Sequence, residues 1–309
     1  MTSAMRDAGA VPFVRGEHTA KKVKKLRTEL KSSPYAPFAA SVSPAALYAR
    51  RWWLEESSPA LGRAERRVAA RLLFVQRKDG SFGGVASTIR HLYSLYLLQR
   101  AGTHEFDRAL DWLWETGQPP ATARRTSGGA IYHDLLTRVH RGDAARLARM
   151  KGTPFAPGCS ILAKTAAAIY LAAVLGRGRE ARVQRALRCL DDVAEARNGL
   201  WCRPSCSANL LRAYAAHPDA SRGRSFARAV RALGKMQAES GRWPGMPFAG
   251  TFSALASVDL REARAQVKRA LVFARRTQNR DGSWGRGPNR EFTTFEIVQG
   301  LRAIEARGN

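Results

Sequence analysis

Gln278-Asn-Arg-Asp-Gly282-Ser-Trp284 ends one helical run and opens the next. The same pattern, Gln, three residues, Gly, one residue, aromatic, recurs at Gln76-Arg-Lys-Asp-Gly80-Ser-Phe82 and Gln237-Ala-Glu-Ser-Gly241-Arg-Trp243. A fourth copy, Glu195-Ala-Arg-Asn-Gly199-Leu-Trp201, keeps the spacing with Glu in place of Gln. Trp201, Trp243 and Trp284 are 42 and 41 residues apart, and Phe82 precedes Trp201 by 119, close to three such periods. A fixed period of this size marks a repeat architecture. Two degenerate copies are therefore expected near residues 120 and 160, where turn-rich clusters lie at 117–129 and 151–158, giving six units from Leu61 to Glu305.

Each unit reads as a pair of helices. Before the turn comes an amphipathic run, such as 63–76 or 261–278, with arginines on one face and Ala, Leu and Val on the other. After it comes a more uniformly apolar run, as in 89–98, 161–175, 207–216 and 294–304. The amphipathic helices suit an outer layer and the apolar ones an inner layer. Glycine tolerates positive φ, and Asp or Asn bonds nearby backbone amides, so the Asp-Gly and Asn-Gly pairs supply the turns. Strand-like alternation is hard to find, and the fold class expected is all-α.

The repeats, above all residues 278–285 and 76–84, resemble the QW motifs of the terpenoid cyclase and protein prenyltransferase superfamily, the squalene-hopene cyclase type included. That resemblance covers roughly residues 61–306 and implies an (α/α)6 toroid of six helical hairpins around a central cavity. Residues 1–60 then form a basic N-terminal extension, partly disordered and partly packed on the ring, with Tyr48, Trp52 and Trp53 capping it. Within the repeats, Gln76, Phe82, Gln237, Trp243, Gln278 and Trp284 take structural roles, and Asp79 and Asp281 are turn aspartates.

The chemistry of the superfamily is not matched motif for motif. No Asp-x-Asp-Asp occurs, and the nearest sequence, Cys189-Leu-Asp191-Asp192, falls before a turn, on an outer helix. The zinc triad of the prenyltransferases is not evident, and Cys202-x3-Cys206 reads as two ordinary thiols; no cofactor is called, with zinc left open. What remains is the cavity. Aligning the inner helices places polar residues near its mouth: Glu296, His91, His133 and Asp134 as candidate acids and bases, and Arg90, Lys164 and Asn209 as candidate substrate-binding groups. A polar ring above an apolar wall suits a ligand with a polar head and an apolar tail, so the expected partner is an isoprenoid, a diphosphate among them, or another apolar small molecule. The alternative is a non-catalytic toroid that serves as a scaffold for a partner protein.

Composition bounds these readings. Of 309 residues 45% are hydrophobic and 25% charged, enough for a core and unlike a disordered chain. The net charge of +27 is spread along the chain: residues 1–60 hold ten Lys and Arg against five Asp and Glu, a density close to that of the rest. It is read as an arginine-rich solvated surface, which disfavours nucleic acid as a partner. The cluster Lys21, Lys22, Lys24 and Lys25 keeps a peripheral membrane contact open. No apolar run is long enough to span a bilayer and the N-terminus lacks a signal-like stretch, so the expected location is the cytoplasm.

Overall fold

The computed structural model describes residues 30–115, 124–125, 131–132, 145, 147, 150, 152–155 and 160–307. They form eleven α-helices: α1 (Pro44–Trp52), α2 (Pro59–Phe74), α3 (Val85–Leu97), α4 (His104–Glu115), α5 (Ser160–Val174), α6 (Ala181–Ala196), α7 (Pro204–Ala216), α8 (Arg224–Met236), α9 (Phe248–Ala256), α10 (Arg261–Thr277) and α11 (Arg290–Ala306). The one extended pairing among them is the two-residue antiparallel match of β1 (Arg124–Arg125) with β2 (Ile131–Tyr132). The protein is all-α, as its sequence pattern predicts.

Local chemistry sets the helix ends. Ser43 and Ser58 accept the amides of Ala46 and Leu61 at 3.1 and 3.2 Å, and Pro44 and Pro59 follow at the first helical position, where a missing N–H costs nothing. Left-handed residues stop α3, α5 and α6: Gln99, Gly176 and Asn198 have φ of 57°, 74° and 53°.

The two helix types separate as expected. In α8, Phe226, Ala229, Val230 and Leu233 are buried, a single stripe, whereas in α7 every residue from Cys206 to Ala216 is buried. Neighbouring odd-numbered helices pack in succession, α1 on α3, α3 on α5, α5 on α7, α7 on α9, α9 on α11 and α11 on α1, so the circuit closes. The even-numbered helices lie between them in sequence, and α6, α8 and α10 pack on one another as an outer layer.

Three of the four turns are tied to the next outer segment by the glutamine amide. Gln76 Nε2 donates to Gly80 O at 2.9 Å and to Glu105 O, in α4, at 2.7 Å. Gln237 Nε2 donates to Gly241 O and to Gln266 O, in α10, both at 3.0 Å. Gln278 Nε2 donates to Gly282 O at 3.0 Å, but its second acceptor is Ser32 O at 2.9 Å, and its Oε1 accepts the amide of Lys31. Residues 31–34 thus stand where an outer helix would begin. The tryptophans complete the joint: Trp243 Nε1 donates to Gln266 Oε1, Trp201 Nε1 to Leu190 O and Trp284 Nε1 to Ala274 O.

The 119-residue interval between Phe82 and Trp201 holds α3, α4, α5 and α6 among the described residues, and the degenerate copies expected near 120 and 160 fall mostly outside them. Inside the segment read as an N-terminal extension, α1 buries Ala45, Ala46, Leu47, Tyr48 and Ala49 and packs on both α3 and α11. Trp53 stacks on Phe295 with centroids 4.7 Å apart, and Phe38 and Tyr48 meet the same ring edge-on.

Gly241 has φ +87°, and a Cβ there would run into the carbonyl of Arg269 in the next outer helix. Gly287 has φ +63° with open space around it. We expect Gly241→Ala to cost roughly 3–5 kcal/mol, backbone strain and overpacking together, and Gly287→Ala about 1 kcal/mol, both read by urea denaturation. Equal losses would show that the close approach to the next helix is not what requires glycine.

Candidate functional site

Halfway along the ring, each inner helix contributes one residue to a common level. Arg212 of α7 is buried and its Nη2 donates both to Glu296 of α11 and to the carbonyl of Gly250 in α9, the latter at 3.2 Å. A Cβ on Gly250 would stand 3.0 Å from that same nitrogen, so the absence of a side chain lets the guanidinium approach the backbone. Tyr170 of α5 hydrogen-bonds the Arg212 side chain. Tyr93 of α3 lies 6.2 Å, centroid to centroid, from Tyr170 and edge-on to Phe292 at 6.0 Å. Tyr48 of α1 is close enough to Tyr93 to influence its ionisation. Phe155 meets Tyr170 edge-on at 5.6 Å, and Tyr96 lies 6.2 Å from Tyr93. The result is one buried ion pair inside an aromatic lining.

Burial dominates the electrostatics. It pushes the Glu296 carboxyl up to about 7, against the opposing pull of Arg212. It also pushes Tyr170 up to about 12 and raises Tyr93 and Tyr96 well above the ordinary tyrosine range. The tyrosines are therefore neutral donors at any physiological pH. A buried carboxyl in this range can hold or release a proton near neutrality, which is the property a general acid or base needs.

The sequence-derived candidates divide. Glu296 is at the centre. Lys164 and Asn209 are buried on α5 and α7, and both are engaged in interactions of their own. Arg90 is exposed. The His91 ring stacks on Phe82 of the turn, centroids 4.6 Å apart, with Nδ1 2.8 Å from Ser87 O in its own helix, so its partners are not those of the ion pair. Burial lowers the pKa of His91, with the Arg90 charge adding to it and the Ser87 carbonyl opposing. His133 and Asp134 lie outside the described residues.

Arg212, Tyr93 and Tyr170 were missed. The signal was available in register: Arg212 is three residues, nearly one turn, beyond Asn209, while Tyr93 is two residues from His91 and so about 200° away around the helix. Among the described residues no three His, Cys, Asp or Glu side chains converge as metal ligands would, and no helix is long and apolar enough to cross a membrane.

Comparison with solved structures places this architecture. A protein from Actinoplanes is 20% identical, with 85% of this chain and 88% of that one covered and a TM-score of 0.55. The type II terpene cyclase MstE from Scytonema, in complex with its product merosterolic acid A, is 17% identical over 92% of this chain and 98% of that one, TM-score 0.55. The same cyclase with its substrate geranylgeranyl dihydroxybenzoate is 15% identical over 94% and 99%, TM-score 0.54. The chain has a terpenoid-cyclase-like fold. No protein-family model matches the sequence, and no curated protein does.

The raised Glu296 carboxyl sets a pH dependence with a definite sign. The native carboxyl keeps its proton up to about pH 7, whereas the unfolded chain releases it near 4.5, so the folded state binds more protons between those values. Stability should then fall as pH rises from about 4.5 through 7 and level off above. Glu296→Gln should flatten that part of the profile, measured as urea midpoints across the pH range. An unchanged slope in the variant would assign the dependence to another group. Arg212→Met removes the charge that opposes burial, so it should raise the Glu296 pKa further and carry the loss of stability on to higher pH in the same urea midpoints.

Proposed function

We propose that the protein binds, and transforms, an isoprenoid inside an (α/α)6 toroid formed by the circuit of inner helices. The observation that carries this reading is the interior level just described: one ion pair, Arg212 with Glu296, enclosed by Tyr48, Tyr93, Tyr96, Tyr170, Phe155 and Phe292. Aromatic faces offer a polyene dispersion contact and attract positive charge developing along it through their quadrupoles. The solved structures of similar fold hold a geranylgeranyl-bearing substrate or its cyclised product, which is consistent with a long prenyl chain as the ligand class.

Within this reading Glu296 is the acid or base. Arg212 holds its carboxyl in place, and burial keeps the proton exchangeable near neutral pH. A carboxyl in that range is a weak acid for an unactivated alkene, so the reading favours proton transfer at an oxygen or at an activated carbon. Lys164 and Asn209 remain candidates for positioning, and His133 and Asp134 for proton transfer, each to be tested by substitution. Exposed Arg90 and turn-bound His91 are the weaker members of the set.

Native mass spectrometry against geranylgeranyl dihydroxybenzoate, geranylgeraniol and squalene tests the binding, and analysis of extracted products tests the turnover. We expect at least one stoichiometric isoprenoid adduct, with Glu296→Gln retaining the adduct and losing roughly 10²–10⁴-fold in product formation. A wild-type protein that takes up none of the three would overturn the proposal. Full turnover by Glu296→Gln would remove the assigned role of Glu296.

A further inference from the structure

Tyr93 is fully buried, and its hydroxyl has no hydrogen-bond partner among the described residues. A buried hydroxyl without a partner is a cost of about 1–3 kcal/mol that native proteins rarely carry without a reason. Its surroundings make the omission specific. The neighbouring hydroxyl of Tyr170 is engaged with Arg212, Arg212 is engaged with Glu296 and Gly250, and Tyr96 has interactions of its own. Every other polar group named at this level has a partner. The orphan sits one ring below Phe292, which is half-buried and lies in the first turn of α11.

The charge of the level narrows what would complete it. Among the described residues the arginine at this level, Arg212, is already paired with Glu296, Lys164 is engaged, and Arg90 is out in solvent. A diphosphate brought to this depth would find no counter-ion left over, and an unpaired buried anion is far more costly than an unpaired hydroxyl. An uncharged oxygen would need one donor only, and Tyr93 has one to give.

We propose that the hydroxyl of Tyr93 donates a hydrogen bond to a single uncharged oxygen of the ligand, an alcohol, phenol, ether or carbonyl, so that the interior takes oxygen-bearing prenyl compounds in preference to prenyl diphosphates. This rests on the isoprenoid reading above and specifies its substrate class.

Two measurements test it. The first needs no ligand: Tyr93→Phe removes the unpartnered hydroxyl and keeps the ring, and the purified variant should melt at the same temperature as the wild type or higher. A clear fall would show that the hydroxyl has a structural partner, and would overturn the proposal. The second is a set of dissociation constants for geranylgeraniol, geranylgeranyl diphosphate and the C20 polyene hydrocarbon lacking oxygen. The alcohol should bind the wild type about tenfold more tightly than the hydrocarbon, one hydrogen bond's worth, and Tyr93→Phe should abolish that difference while leaving the hydrocarbon's constant unchanged. Tightest binding of the diphosphate, or an alcohol preference that survives in Tyr93→Phe, would overturn this proposal with the isoprenoid reading intact. Failure of all three to bind would overturn both.

Discussion

The ring depends on a side-chain amide that reaches two backbones at once. Gln76, Gln237 and Gln278 each donate to the glycine carbonyl of their own turn and to a carbonyl in the segment outside the next hairpin. A helix pair carrying such a residue is joined to its successor by bonds that fix both distance and angle, and repetition of one angle curves a stack of hairpins. Closure then requires that the last glutamine find an acceptor where no further helix exists. Ser32 supplies it, Lys31 donates back to the glutamine oxygen, and the Lys31 ammonium bonds the carbonyls of Arg276 and Gln278. Residues 31–34 and the turn after α10 are therefore tied at one joint. Gly282 shows how tight that joint is, since a Cβ on it would run into the carbonyl of Ser33.

Closing the ring sets the conditions for the chemistry inside. Six helices facing one another leave a region from which water is removed, and there a carboxylate is strongly disfavoured unless paired. Arg212 is that pair, and even so burial outweighs it at Glu296. Replacing such an ion pair with apolar side chains is often neutral or stabilising, so a fold maintained for stability alone has little use for one. The glycine that admits Arg212 to the backbone, the tyrosine bonded to it and the orphan hydroxyl beside it are all arranged around this costly pair. That arrangement is better explained by a ligand than by packing.

Much of the scaffold was legible in the sequence. The Gln-Gly-Trp spacing, the alternation of amphipathic and apolar runs and the absence of strand patterning all follow from local chemistry that repeats, and repetition is visible in one chain. The place of α1 was not legible, because it carries no turn motif, yet it packs on both α3 and α11. The site was legible in part. Glu296 stands out as an acid in an apolar run, but its partners are set by the relative heights of helices, and a shift of three residues on α7 or two on α3 separates Arg212 from Asn209 and Tyr93 from His91. Sequence spacing within a helix does not contain that information; contacts between helices do.

The same division explains why the repeat residues and the site residues behave so differently. Positions at the turns do one job four times among the recognisable copies, so they converge on Gln, Gly and an aromatic. Positions at the interior level do a job once per ring, so each helix contributes a different group: Tyr48, Tyr93, Tyr170, Arg212, Gly250 and Glu296. The interior thus gathers six unrelated residues held by one repeated joint. Changing what the ring binds thus requires no change in what closes it, and a chain can keep the terpenoid-cyclase-like frame while carrying neither an Asp-x-Asp-Asp acid motif nor an evident zinc triad. The frame identifies the fold, whereas any function has to be argued from the six residues gathered inside it.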